Sequence, residues 1–297
     1  MHMKRERRRR GDRRDGKLAA GVPGLQTVMA TLMPNRTDRE CYLHDTIDVT
    51  ELLKFIDEKN ADHPDYKTTM FHCAVTALTR MVYERPLLNR FVQGGRIYDR
   101  NEISVAFVAK RRFEDYAEEA LMFYVPKPTD TLDDVSRTIV GEVRETRKSE
   151  HSTGGVDELL DKVAALPRPL TWGITYAARV MDYWGVNPSF LTDGDPNYST
   201  LFLSNLGSIK CPAVYHHLNN YGTNSIMITI GEIHKEELLM PDGTKEIRDV
   251  IDIGATLDEI IADGFYFARS LKLVKHIFAN PEILDRPIRI ASGFDYR

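Results

Sequence analysis

No apolar run in this 297-residue chain approaches the roughly 18 to 20 residues that a helix needs to cross a bilayer, and the N-terminus lacks the apolar stretch of a secretory signal. A cytoplasmic location is therefore expected. Cysteine is also scarce. Cys41, Cys73 and Cys211 show no CxxC spacing, so they suggest neither a disulfide framework nor a zinc site, and they are read as small buried apolar residues in a reducing compartment. No repeat of solenoid length recurs. What is present is an ordinary globular balance, 42% hydrophobic and 28% charged, at a length that suits one large domain or two small ones.

Charge is unevenly placed. The run from Lys4 to Lys17 holds Arg5, Arg7, Arg8, Arg9, Arg10, Arg13 and Arg14 against only Glu6, Asp12 and Asp15. Such runs repel themselves, so residues 1–21 are expected as a solvated basic tail; contact with a nucleic acid, a membrane surface or an acidic partner is the functional alternative. No nucleic-acid-binding module follows, and no specific nucleic-acid partner is expected. The domain proper is expected over residues 22–297.

Along that domain, Val22 to Met33 is apolar between proline and glycine breaks and reads as an extended entry. Asp48 and Thr50 are caps for a helix to about Asn60. Phe71, Ala74, Val75, Leu78, Met81 and Val82 recur at three and four residues, which predicts a core helix that Pro86 stops. Strands are expected near Ile103 to Val108 and Glu119 to Val125, then a helix from Thr131 to about Arg147. Residues 154–195 form a distinct block with glycine and proline breaks around two short helical runs, the second from Trp172 to Trp184. Its aromatics, Trp172, Tyr176, Tyr183 and Trp184, are expected to pack on the body; lining a substrate mouth or gripping a partner is the alternative. Three further strands, at Thr200 to Ser204, Ser225 to Gly231 and Val250 to Leu257, lead to a last helix from Phe265 to Ala279.

Four segments resemble one known fold in order. Leu203-Ser204-Asn205-Leu206-Gly207 is similar to the serine-bearing strand end of the catalytic domain in acyltransferase subunits of 2-oxo acid dehydrogenase complexes, and Ile226 to Gly231 to its next core strand. Leu257 to Gly264, followed by Phe267-Ala268-Arg269-Ser270-Leu271, resembles the segment with that family's H-x-x-x-D-G signature. Asn35-Arg36 and the polar stretch after it resemble the start of chloramphenicol acetyltransferase. Each motif is weak alone; their order carries the resemblance, which covers about residues 30 to 285 and is interrupted by the 154–195 block.

The resemblance implies an α/β fold, a mixed sheet covered by helices, and acyl transfer from a coenzyme A thioester used as co-substrate, with no bound metal or prosthetic group. It implies a homotrimer or larger assembly of trimers, with sites between chains. Ser204 takes the role of the hydrogen-bond donor to the tetrahedral oxyanion, a contribution of about 3 to 4 kcal/mol for a well-placed donor. Asp263 and Arg36 take that of a structural ion pair. The family's histidine base is replaced here by Glu259, four positions before Asp263, and a carboxylate near pKa 4.3 is a weaker base at neutrality than an imidazole near 6.5. Three readings stay open: Glu259 is the base, tuned upward by an apolar pocket; His216 or His217 has taken over; or the chain is a trimer that binds CoA thioesters or scaffolds a partner without catalysis. A metal site from His216, His217 and Glu259 has no standard ligand spacing behind it. Without a lipoyl domain or an Ala/Pro-rich linker in the sequence, a free-standing acyltransferase-like protein is expected.

Overall fold

A computed structural model describes residues 9–62, 66–110, 119–148 and 161–296. Thr50 to Asp62 forms helix α2 and Met70 to Glu84 helix α3, both where the apolar spacing predicts them. The Thr69 hydroxyl accepts the backbone N–H of His72, while the His72 ring accepts that of Thr69, so two orphan donors at the start of α3 are satisfied reciprocally. Helix α4 spans Leu132–Lys148, α5 spans Arg168–Trp184 and α6 spans Gly264–Ala279. The expected extended entry is instead helix α1, Gly24–Leu32, with Pro23 at its N-cap. Proline there has no N–H to lose, so it starts the helix rather than breaking it.

Six strands make the main sheet, in the order β2 (Glu40–Asp48), β9 (Lys245–Asp258), β8 (Ile226–Leu239), β7 (Leu201–Asn205), β5 (Val105–Lys110) and β6 (Glu119–Tyr124). The sheet is mixed, because β7 runs parallel to both β5 and β8 while the other pairs are antiparallel. Side chains alternate between its two faces. Val105, Phe107, Leu201, Leu203, Ile226, Ile228, Ile230, Ile251, Ile253 and Leu257 join residues of α2, α3, α4 and α6 in one buried core. The α/β class and the helix-covered mixed sheet are as expected; β2 and the extensions of β8 and β9 beyond the core were not.

A small sheet, β1 (Gly16–Leu18), β4 (Arg96–Arg100) and β3 (Arg90–Gln93), corrects the expectation of a solvated tail through residue 21. Gly16 to Leu18 pairs with Tyr98 to Arg100, and Arg13 is buried, its guanidinium paired with Asp15 at 2.9 Å and lying over Phe91 and Tyr98. Arginine flattened on aromatic faces with its donors occupied is no longer a solvated charge. Residues 1–8 of the expected tail, and 154–160 of the block, lie outside the described residues.

Candidate active site

The face of the sheet away from the helices carries the site residues. By parity Phe202 and Ser204 of β7 point there, and the register aligns Ser204 with Thr229, Thr229 with Gly254, and Gly254 with His44 in one cross-strand row. Ser204 is half-buried, one residue before β7 ends. After β7 the chain turns through a short helix, Leu206–Ile209, and crosses this face over three strands. Glu232 donates its N–H to the Cys211 carbonyl at 3.1 Å, and Val214 donates to the Thr229 hydroxyl at 3.1 Å while its carbonyl accepts from that hydroxyl. Tyr215 then meets Tyr42, ring centroids 5.3 Å apart, and Leu218 donates to the Glu40 carboxylate at 2.6 Å. The crossing needs glycine beneath it. A Cβ at Gly231 would stand 2.7 Å from the Ala213 nitrogen, and one at Gly254 2.6 Å from the Val214 carbonyl oxygen.

Glu259 follows the last residue of β9, with its main-chain N–H on the Arg39 carbonyl at 3.0 Å and its side chain exposed. The residues after it, Ile260, Ile261 and Ala262, are buried in the core, so the turn is fixed from within. Within the described residues the chain builds no apolar pocket around this carboxylate. His216 and His217 are exposed on the crossing segment, their rings stacked at 4.8 Å, next to Leu218 and its bond to Glu40. Because Glu40 is the register partner of Asp258, both histidines belong to the same end of the sheet as Glu259.

Ser204 belongs to the other end. Glu259 lies five residues past Gly254, about 17 Å along β9, and two strand spacings, about 9.5 Å, to the side of Ser204, which separates them by about 19 Å. One bound atom cannot touch both side chains of a single chain.

The ion pair implied by the resemblance is corrected. Asp263 is exposed and caps α6, accepting the Tyr266 N–H at 2.7 Å, while the Arg36 guanidinium donates to the carbonyls of Asn219 at 2.8 Å, Val92 at 3.2 Å and Gly222. Burial lowers Arg36 to about 10. The buried pair is instead Arg39 with Asp258, Nε to Oδ2 at 2.9 Å, with side chains 3% and 0% exposed. Burial holds the Asp258 carboxyl above its ordinary value, against the pull of Arg39 and then Arg36. The Arg39 carbonyl bonded to the Glu259 N–H makes this pair the brace of the Glu259 turn. Three residues from Arg36 in sequence, Arg39 offered no signal to distinguish it.

Two clefts of about 340 and 450 Å³ open on the surface, the first lined by Thr46, Asp48, Arg248 and Lys275, the second by Tyr124, Asp130, Arg137 and Glu142. Neither includes Ser204, Glu259, His216 or His217. Among the described residues no three His, Cys, Asp or Glu side chains converge on a point where a metal ion would sit.

No protein-family model and no curated protein matches the chain. Solved structures do. A probable dihydrolipoamide acetyltransferase from Listeria monocytogenes superposes with a TM-score of 0.58 at 13% identity, over 92% of this chain and 96% of that one. The dihydrolipoamide acetyltransferase of Azotobacter vinelandii superposes at 0.59 with 12% identity, over 90% and 94%. This chain has their fold. A truncated catalytic core of the 2-oxoacid dehydrogenase complex from Thermoplasma acidophilum shares it too, at 0.52 and 14%, over 89% and 98%. The match spans nearly the full length of each solved chain, so the acetyltransferase-like fold is whole here, and the expectation of that fold is met.

Proposed function

We propose that the chain transfers an acyl group from coenzyme A, or from a carrier with a similar thioester arm, to an acceptor nucleophile, at a site assembled between two copies. Ser204 of one copy donates its hydrogen bond to the oxyanion that forms when the thioester carbonyl is attacked. The Glu259 end of the next copy, which also carries His216 and His217, supplies the base that takes the acceptor's proton. The observation that carries this reading is the separation of about 19 Å between Ser204 and Glu259 within one chain, on a fold that acetyltransferases use. A serine, a histidine and an asparagine are named in the catalytic mechanism of the Azotobacter enzyme, the last two at the same four-residue separation as Glu259 and Asp263. A trimer would repeat such a contact three times with closed symmetry.

Release of free CoA thiol from a series of acyl-CoA esters, with thiol, hydroxyl and amine acceptors, tests the reading. Ser204→Ala is expected to lower kcat by about 100-fold or more. Glu259→Gln beside His216→Ala and His217→Ala assigns the base to whichever variant loses turnover. A wild-type protein that turns over no ester, and binds CoA unchanged in Ser204→Ala, would defeat it. The other reading, a non-catalytic trimer that binds CoA thioesters, is separated by the same assay. Saturable acyl-CoA binding without thiol release would be its signature.

A further inference from the structure

Helix α5 is mounted back to front. The residues it turns toward the body are Thr171, Ala178, Met181 and the fully buried Asp182, while its aromatic residues face outward. Trp172 and Trp184 are 69% and 71% exposed, and Leu170, Tyr176, Val180 and Tyr183 are exposed with them. At 100° per residue these outward apolar side chains span about 160° of the helix. This corrects the expectation that the aromatics pack on the body. Asp182 explains the inversion: its carboxylate accepts from the Gly222 N–H at 3.0 Å and the Tyr198 hydroxyl at 2.8 Å, so α5 is fastened by a polar anchor and not by its apolar face.

Arg13 and Arg14 of the basic segment are fixed to the same place. Arg13 donates to the Asp182 carbonyl at 2.7 Å, and Arg14 donates to the Thr192 hydroxyl and, at 2.9 Å, to Asp193 just beyond α5. Arg9 and Arg10 are exposed beside them, and the sequence ahead adds Lys4, Arg5, Arg7 and Arg8. Residues 1–17 hold nine basic and three acidic side chains, a net of +6, so residues 18–297 carry −10 of the chain's −4. Helix α1 extends the apolar surface. Its Leu25, Val28 and Leu32 are exposed, and it approaches α5 across the β3–β4 turn, where a Cβ on Gly94 would meet the Tyr183 carbonyl and one on Gly95 the Thr31 hydroxyl.

We propose that α5 and the adjoining arginine segment form a peripheral docking surface for an anionic lipid bilayer. A broad apolar face with tryptophan and tyrosine suits the boundary between headgroups and acyl chains, and a cationic segment beside it supplies the second signal that stable surface binding requires. The arginine segment beside α5 carries the strong positive balance of the chain, and it is the part that meets anionic headgroups. A two-fold contact between copies through the same helix would instead set two +6 segments against each other, and a contact within the trimer proposed above is the outcome that the sedimentation arm tests. No helix among the described residues is long and apolar enough to cross a membrane, so the contact is with the surface.

Trp172 and Trp184 are the chain's only tryptophans, so intrinsic fluorescence reads this surface without a label. The full-length protein is titrated with phosphatidylcholine vesicles, with and without phosphatidylserine. A blue shift with the serine lipid is expected, at least tenfold tighter than without it and weakening as salt is raised. In cosedimentation with the same vesicles, the double variant Trp172→Ser, Trp184→Ser and deletion of residues 1–8 are each expected to bind about tenfold more weakly or worse. The double variant is expected to unfold at the wild-type temperature, since both positions are exposed. Any of three results would overturn the proposal: no shift with phosphatidylserine vesicles, full binding by the double variant, or a double variant whose only change is a smaller mass in sedimentation, which would make the face a contact between copies.

Discussion

Two regions rich in apolar and aromatic residues, 201–263 and 161–195, are built on opposite plans. In the first, the core stretches of β7, β8 and β9 turn alternate apolar residues, Leu201, Leu203, Ile226, Ile228, Ile230, Ile253 and Leu257, into the helix-covered core, and the segment from Cys211 to Leu218 lies so close on the other face that only glycine fits beneath it at Gly231 and Gly254. In the second, a helix of 17 residues is held by one buried carboxylate and leaves its aromatic residues bare. Apolar pattern tells which side chains share a face. It does not tell whether that face looks inward.

Substitutions in the two regions should therefore differ sharply in cost. Removing Arg39 from the Asp258 pair leaves a buried carboxylate without a partner. Arg39→Ala is expected to lose about 3 to 5 kcal/mol in urea unfolding, whereas replacing both members by apolar residues of similar size should cost much less. A variant without this loss would mean that the brace of the Glu259 turn lies elsewhere.

Beneath the sheet, His72 sits in the core end of α3, and burial lowers its imidazole to about 4. The unfolded chain protonates this group near 6.5 and the folded chain does not, so stability is full above that pH and is lost as pH falls toward 4. The loss reaches about 3 kcal/mol. Buried Asp182 and Asp258, whose pKa values burial raises, have the opposite slope at the acidic end of this range. Comparing wild type with His72→Asn across pH 4 to 7 isolates the histidine; parallel curves would contradict its assignment.

Gly254→Ala puts a methyl group against the Val214 carbonyl at 2.6 Å and the Thr229 hydroxyl at 2.9 Å. A cost of about 1 to 3 kcal/mol is expected, with faster amide exchange over 211–218 as the crossing segment lifts. The smallest effect is expected from the largest residues. Trp172→Ser and Trp184→Ser should each change stability by no more than about 0.5 kcal/mol, because neither side chain leaves a cavity behind. A core-sized loss at either would show that α5 is covered.

The division between what the sequence revealed and what it hid follows the same physics. Helices α2, α3, α4 and α6 and the core strands were legible because their apolar periodicity faces one shared core. Strand β2 was not, because His44, Thr46 and Asp48 interrupt its apolar residues along an edge open to solvent. Ser204 and the turn at Glu259 were legible as motifs, but not the distance between them, which depends on β9 running antiparallel to β8. Arg39 was hidden beside Arg36: both are arginines in one short 3-10 turn, and only the fold decides which one meets Asp258. Asp182 had no motif at all. A single carboxylate in a helix otherwise rich in aromatics is an anchor only once Gly222, Tyr198 and Arg13 are brought to it.

Mixing two inactive variants tests the assembled site most directly. Ser204→Ala and whichever of Glu259→Gln, His216→Ala and His217→Ala loses turnover are refolded separately and together, and CoA thiol release is followed with the best acyl-CoA substrate. Each variant alone should be nearly inactive, while the mixed assemblies recover a measurable fraction of wild-type turnover from sites that pair an intact Ser204 with an intact base. Equal inactivity of the mixture, despite subunit exchange confirmed by mass, would contradict a site shared between two chains.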